Sequence, residues 1–144
     1  MIRSVIVLAG LGLGLCAAMA QSNPIGERQQ TMKGVGAAAR EGAAIAKGEA
    51  AFEAAKAQAI FRTFAEAAHK MPTLFPESSK TGGETTAAPK IWEDQAGFKA
   101  AFARLEADAT AGGAAAIDLA SFRTAFGTVT KNCGACHEVY RIKK

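Results

Sequence analysis

From residue 118 onward, Leu119, Phe122, Phe126, Val129, Cys133, Cys136 and Tyr140 follow one another at spacings of 3, 4, 3, 4, 3 and 4. That is the period of a seam on an α-helix, and it conflicts with the two-residue alternation of a half-buried strand. Asp118 stands where an N-cap belongs, and Arg141, Lys143 and Lys144 complement the dipole at the far end. A seam this long must be covered by other helices. The composition offers no competing sheet, because the chain is rich in Ala, only 7% aromatic and has a single Tyr and a single Trp. Its 144 residues suit one compact domain.

Three further helical segments are predicted. Asn23-Pro24 opens the first, which runs to Lys47 before Gly48. Its inward stripe reads as Ile25, Met32, Gly36, Ala39, Ala43 and Ala46. The second covers 50–71, stops at Pro72, and turns Phe52, Ala59, Ile60, Phe64, Ala67, Ala68 and Met71 inward. From Pro72 to Pro89 the prolines, Gly82-Gly83 and several Ser and Thr read as one long irregular connection. The third segment carries Ile91, Gln95, Phe98, Phe102, Leu105 and Ala109 and ends at Gly112-Gly113. Short turns and one longer loop predict an all-α, antiparallel up-down-up-down four-helix bundle. In that topology Arg28, Met32, His69, Met71, Ile91 and Trp92 share one end of the bundle with residues 133–137.

The segment Cys133-Gly134-Ala135-Cys136-His137 has the attachment pattern of haem c, in which two thiols add across the two vinyl groups and the adjacent imidazole binds iron. A thioredoxin-like pair wants its cysteines at a helix N-terminus after a strand, and this pair lies near the end of a helix. A structural zinc site needs four ligands, and His69 is the only other His. A disulfide across the same spacing in mid-helix would be strained.

Residues 1–20 carry one basic residue, an apolar run and Ala18-Met19-Ala20, the pattern of a signal peptide cleaved before Gln21. The run is too short for a stable membrane anchor, and bulky Leu15 disfavours a lipoprotein site at Cys16. Export leaves Cys133 and Cys136 as the only cysteines of the domain at 21–144 and places it in the periplasm, where haem c is attached. The formal charge of +4 is scattered, with no basic run longer than Lys143-Lys144, which gives no support to nucleic-acid binding.

The chain resembles the cytochrome c′ family of class II c-type cytochromes, and within it the low-spin, methionine-ligated cytochromes c-556. The resemblance spans residues 21–144. It is carried by the run 28–33 (Arg-Gln-Gln-Thr-Met-Lys), Ala46-Lys47-Gly48-Glu49, Leu74-Phe75-Pro76, Pro89-Lys90-Ile91-Trp92, Ala125-Phe126-Gly127 and the haem motif inside the last helix.

The resemblance implies that Met32 faces the iron opposite His137. Without it, Met32 reads as a core methionine in an Ala-rich seam. Met71 is a rival thioether, and His69 reads as a surface residue. The resemblance further implies that Arg28 holds a haem propionate; Gln29 beside it is placed to assist, and Trp92 at the start of the third helical segment, with its indole N–H, reads as a wall or propionate contact. His137/Met32 ligation suits an electron carrier serving redox partner proteins, not an enzyme, since no distal His and Arg pair for peroxide chemistry is found. A five-coordinate member would instead bind NO or CO. Pairing of two copies through the first two helices, known in the family, is also open to this chain.

Overall fold

The structure, a computed structural model, describes residues 23–143; the signal peptide expected at 1–20 and its cleavage site lie outside the described residues. Among the described residues five α-helices occur in the order α1 (Pro24–Lys47), α2 (Ala54–Lys70), α3 (Lys90–Glu93), α4 (Gln95–Ala115) and α5 (Leu119–Tyr140). The four long ones form the bundle, each packed on its sequence neighbour, with α5 closing the ring against α1. Side-chain pairings show the antiparallel sense. Lys70 near the end of α2 meets Glu27 near the start of α1, and Asp94 at the head of α4 meets Tyr140 at the foot of α5.

Local chemistry sets the helix ends. The Asn23 side chain accepts the Gly26 N–H at 2.9 Å, and Pro24 occupies the first turn. Gly48 closes α1 in the left-handed region, φ 82°, which favours glycine. Asp118 and Ser121 form a reciprocal capping box at the head of α5.

Four expectations are corrected. First, α2 begins at Ala54, so Phe52 packs from the preceding turn, and it is Ala57 and Phe61 that are buried while Ala59 is exposed. Second, the connection after Pro72 is structured: residues Met71–Leu74 and Glu77–Ser79 form 3-10 turns, and Ala87 bridges to Arg141. Third, Ile91 and Trp92 sit on the separate short α3, because Asp94 caps α4 by accepting the Gly97 N–H at 3.0 Å. Fourth, α4 runs through Gly112-Gly113. A Cβ on Gly112 would come within 2.9 Å of the Phe61 ring, so this glycine seats an aromatic ring and does not stop the helix.

The inward face of α1 is also rotated from the expected stripe. Ala38, Gly42 and Ile45 are buried in the core, while Ile25, Met32 and Gly36 are half-buried and border a cavity. Gly42 fixes this phase, because the Phe126 ring lies against it where a Cβ would stand.

Two apolar clusters result. At one end Phe61, Phe64, Phe122 and Phe126 pack with Ile45 and Val129. At the other, Phe98, Phe102, Met71, Leu74 and Ile91 form a second group, with Met32 and Tyr140 against it. Phe122 is 0% exposed and meets three other rings within 6.0 Å between centroids. Phe122→Ala should therefore cost about 3–5 kcal/mol, and Gly42→Ala about 1–3 kcal/mol by overpacking on Phe126. Denaturant titration of the holoprotein reads both, and an unchanged midpoint for either would contradict this packing.

Candidate haem site

The α1 and α5 helices touch closely where Gly42 meets Phe126 and where the Arg123 Nε–H donates to the Ala46 carbonyl at 2.6 Å. Toward the opposite end they border a cavity of about 550 Å³, well within the range of cofactor sites. The α5 seam carries Cys133, Cys136 and His137 onto one wall, since positions three and four apart share a helical face. Arg28, Gln29 and Met32 of α1 line the same cavity, as does Met71 at the foot of α2.

Both thiols are half-buried, and the Cys133 Sγ–H points at the Val129 carbonyl at 3.7 Å. Burial raises the pKa of both, and the neighbouring Cys133 raises that of Cys136 further, so both are neutral thiols near pH 7. The His137 ring lies at the solvent-accessible edge of the cavity, and its pKa is lowered by the surrounding protein and then by the charge of Arg141. The neutral imidazole, with a free lone pair, is the form that ligates a metal.

Arg28 is 6% exposed, an unusual degree of burial for a guanidinium. It lies over the Phe75 ring at 4.5 Å, and its Nη2 donates to the Ser79 carbonyl at 3.0 Å. Nη1 is buried and has no partner among the described residues. A buried charged donor left unpaired costs on the order of 1–3 kcal/mol or more, so this atom calls for an anionic acceptor in the cavity. Gln29 is exposed at the lip, where its side-chain amide donates to the Glu84 carbonyl at 2.6 Å and ties α1 to residues 84–87. Two thiols, an imidazole and an unsatisfied guanidinium around one cavity fit haem c, its two vinyl groups, its iron and a propionate.

The structure does not bring Trp92 to this cavity. It packs behind Phe75, 6.1 Å between ring centroids, and its indole N–H is buried without a partner among the described residues. His69 is exposed on α2, with Nδ1 3.2 Å from Glu106 on α4.

Sequence reasoning missed two supports of the site. Residues 85–87 form part of the cavity wall, held by Ala88 N–H to the Tyr140 carbonyl (3.0 Å) and Ile142 N–H to the Thr86 carbonyl (2.8 Å). The Tyr140 hydroxyl donates to Asp94 at 3.0 Å across the start of Gly97, where a Cβ would strike both groups. The Asp94 N-cap pattern was legible and could have flagged this second pair.

Residues 23–141 match the family described as Cytochrome C′. Cytochrome c′ of Rhodopseudomonas palustris is 44% identical over 141 residues, covering 97% of each chain. A cytochrome c-556 of Agrobacterium fabrum is 41% identical over 132 residues, covering 90% of this chain and 89% of its own. The solved structure of cytochrome c′ from Rhodopseudomonas palustris superposes with a TM-score of 0.83 at 44% identity, covering 86% of this chain and 99% of that one. The fold is that of a cytochrome four-helix bundle. This chain belongs to the cytochrome c′ family, whose members hold haem c covalently, and Cys133 and Cys136 are the cysteines that attach it.

The Asp94 carboxyl is held below its ordinary range by the Gly97 N–H and then by the Tyr140 hydroxyl. A depressed carboxylate stabilises the fold above its unfolded value of about 3.9 and loses that contribution as pH falls through the folded value. Wild type should therefore exceed Asp94→Asn in stability at neutral pH, with the gap closing below about pH 3.9. Urea titrations of both holoproteins across that range measure it, and a gap independent of pH would exclude the linkage.

Proposed function

We propose that this chain is a periplasmic electron-transfer protein in which the His137 imidazole and the Met32 thioether fill both axial positions of haem c. The observation that carries this reading is that Met32 on α1 and His137 on α5 border one cavity, from two helices that meet firmly only beyond it. Haem c supplies a one-electron ferric/ferrous couple when bound.

The chain's residues suit that use. The Met32 thioether is neutral and soft, so it neither gives nor takes a proton when the oxidation state changes. It rests against the Phe98–Phe102 cluster, whose rings stand edge-on at 5.1 Å, a wall that restrains its flexible side chain. The buried guanidinium of Arg28, with Nη1 unsatisfied among the described residues, would hold one propionate through a fixed donor. The leader at 1–20 supports export to the periplasm.

Optical spectra of the holoprotein, ferric and ferrous and with and without carbon monoxide, test the ligation. Wild type should be low-spin, with a methionine-to-ferric charge-transfer band and slow or absent carbon monoxide binding. Met32→Ala should lose the band and bind carbon monoxide promptly. High-spin wild type that binds carbon monoxide at once, unaffected by the substitution, would instead assign a five-coordinate, gas-binding cytochrome c′.

A further inference from the structure

None of the ion pairs among the described residues involves a side chain that lines the cavity. Lys56 is engaged by Glu41 and Glu53, Lys70 by Glu27 and Lys80 by Glu77, all on other parts of the surface. Lys33 and Arg40 on α1 and Arg141 after α5 border the cavity and are exposed, and like Arg62, Lys90, Lys99 and Arg104 elsewhere they form no ion pair among the described residues. One carboxylate, Glu84, shares this rim. Next to it on α5, exposed Lys131 and Glu138 offset each other. Over the rest of the described surface cations and carboxylates nearly balance, so the excess positive charge of the folded chain is concentrated where the cavity opens.

The relief of the rim is also low. A Cβ on Gly34 would meet nothing within 4 Å, and one on Gly36 only the tip of Arg40 at 3.6 Å. A partner can therefore approach the α1 backbone beside the cavity without displacing bulky side chains. His137, at the same edge, leaves the cofactor end of α5 open to that partner.

We propose that the mouth of the cavity is the docking face for an acidic electron-transfer protein, which Lys33, Arg40 and Arg141 steer and hold. The proposal rests on the electron-carrier reading above. Unpaired cations around an opening raise the encounter rate of an anionic partner by about ten- to a thousandfold at low salt, and the gain falls as salt screens it. The same charges oppose docking of a second copy by this face, because like would meet like.

The test uses the ferric holoprotein and reduced plant-type ferredoxin, an acidic protein that gives up one electron as the haem takes it. Stopped-flow reduction should slow about tenfold in Lys33→Glu/Arg40→Glu at low ionic strength, with the difference vanishing at high salt. Arg62→Glu/Arg104→Glu, on exposed positions of α2 and α4, makes the same change in net charge and should leave the rate close to wild type. Tris(phenanthroline)cobalt(III), a cationic one-electron oxidant, should take the electron back from the ferrous rim variant at least as fast as from ferrous wild type, which shows that the variant is folded and its haem competent.

Equal ferredoxin rates for all three proteins, or equal slowing in both variants, would overturn the docking face. Wild type that exchanges electrons with neither reagent would sink the carrier reading itself. A wild-type dimer in sedimentation that the rim variant dissociates would give the face to a second copy. Binding to phosphatidylglycerol vesicles that the rim variant loses would give it to lipid. Either result would overturn the proposal.

Discussion

The site depends on how closely α1 and α5 approach at Gly42. The Phe126 ring lies where a side chain at that position would be, and the Arg123 guanidinium clasps the last turn of α1 through the Ala46 carbonyl. These contacts set the rotation and spacing of α1 relative to α5 at one end of the interface. At the other end the rotation delivers Arg28 and Met32 to the cavity that the α5 seam lines with Cys133, Cys136 and His137. One methyl group added at Gly42 would disturb a geometry several turns away, because helices are stiff over that distance and interiors are close-packed.

Arg28 shows how the chain prepares for its cofactor. A guanidinium buried to this degree is costly unless paired, and the structure supplies only the Ser79 carbonyl and the face of Phe75. Its remaining buried N–H stays unsatisfied by the protein. Desolvation lowers its pKa, as expected for a cation held away from water, though a guanidinium stays charged at neutral pH. The chain thus holds a positive charge at the cavity, and a haem propionate placed against it would remove the penalty. Cofactor retention and fold stability would then be coupled through this residue as well as through Cys133 and Cys136.

How much could be read from the sequence depended on contrast between large and small residues. The α5 seam alternates bulky residues with polar ones, so its phase, its Asp118 cap and the placement of both cysteines on the cavity side were legible. The ends of α1 were legible because Asn23-Pro24 and Gly48 carry backbone chemistry that needs no tertiary partner. Its face was not. Positions 36–46 are mostly Gly and Ala, so nearly any rotation buries similar area, and only the distant Phe126 selects Gly42. Gly112-Gly113 misled for a related reason: a glycine that ends a helix and one that admits the Phe61 ring look the same in sequence. Trp92 was expected at the cofactor because it shares an end of the bundle with the motif. Its placement follows instead from Asp94, whose cap starts a new helix and leaves α3 packed behind Phe75.

The two apolar clusters divide the work of the molecule. Phe61, Phe64, Phe122 and Phe126 fill one end with interlocking rings, and no group that could serve a cofactor is needed there. The other cluster shares its residues with the cavity wall, so Phe98, Phe102 and Met71 both hold the bundle together and shape the site. Met32 is only half-buried at the border of that second cluster, so exchanging the ligand proposed above removes less packing than a change among the fully buried rings at the other end. On the ligation proposed above, one bundle would present either a closed or an open iron face, with the choice resting on Met32 of α1 and not on the architecture around it.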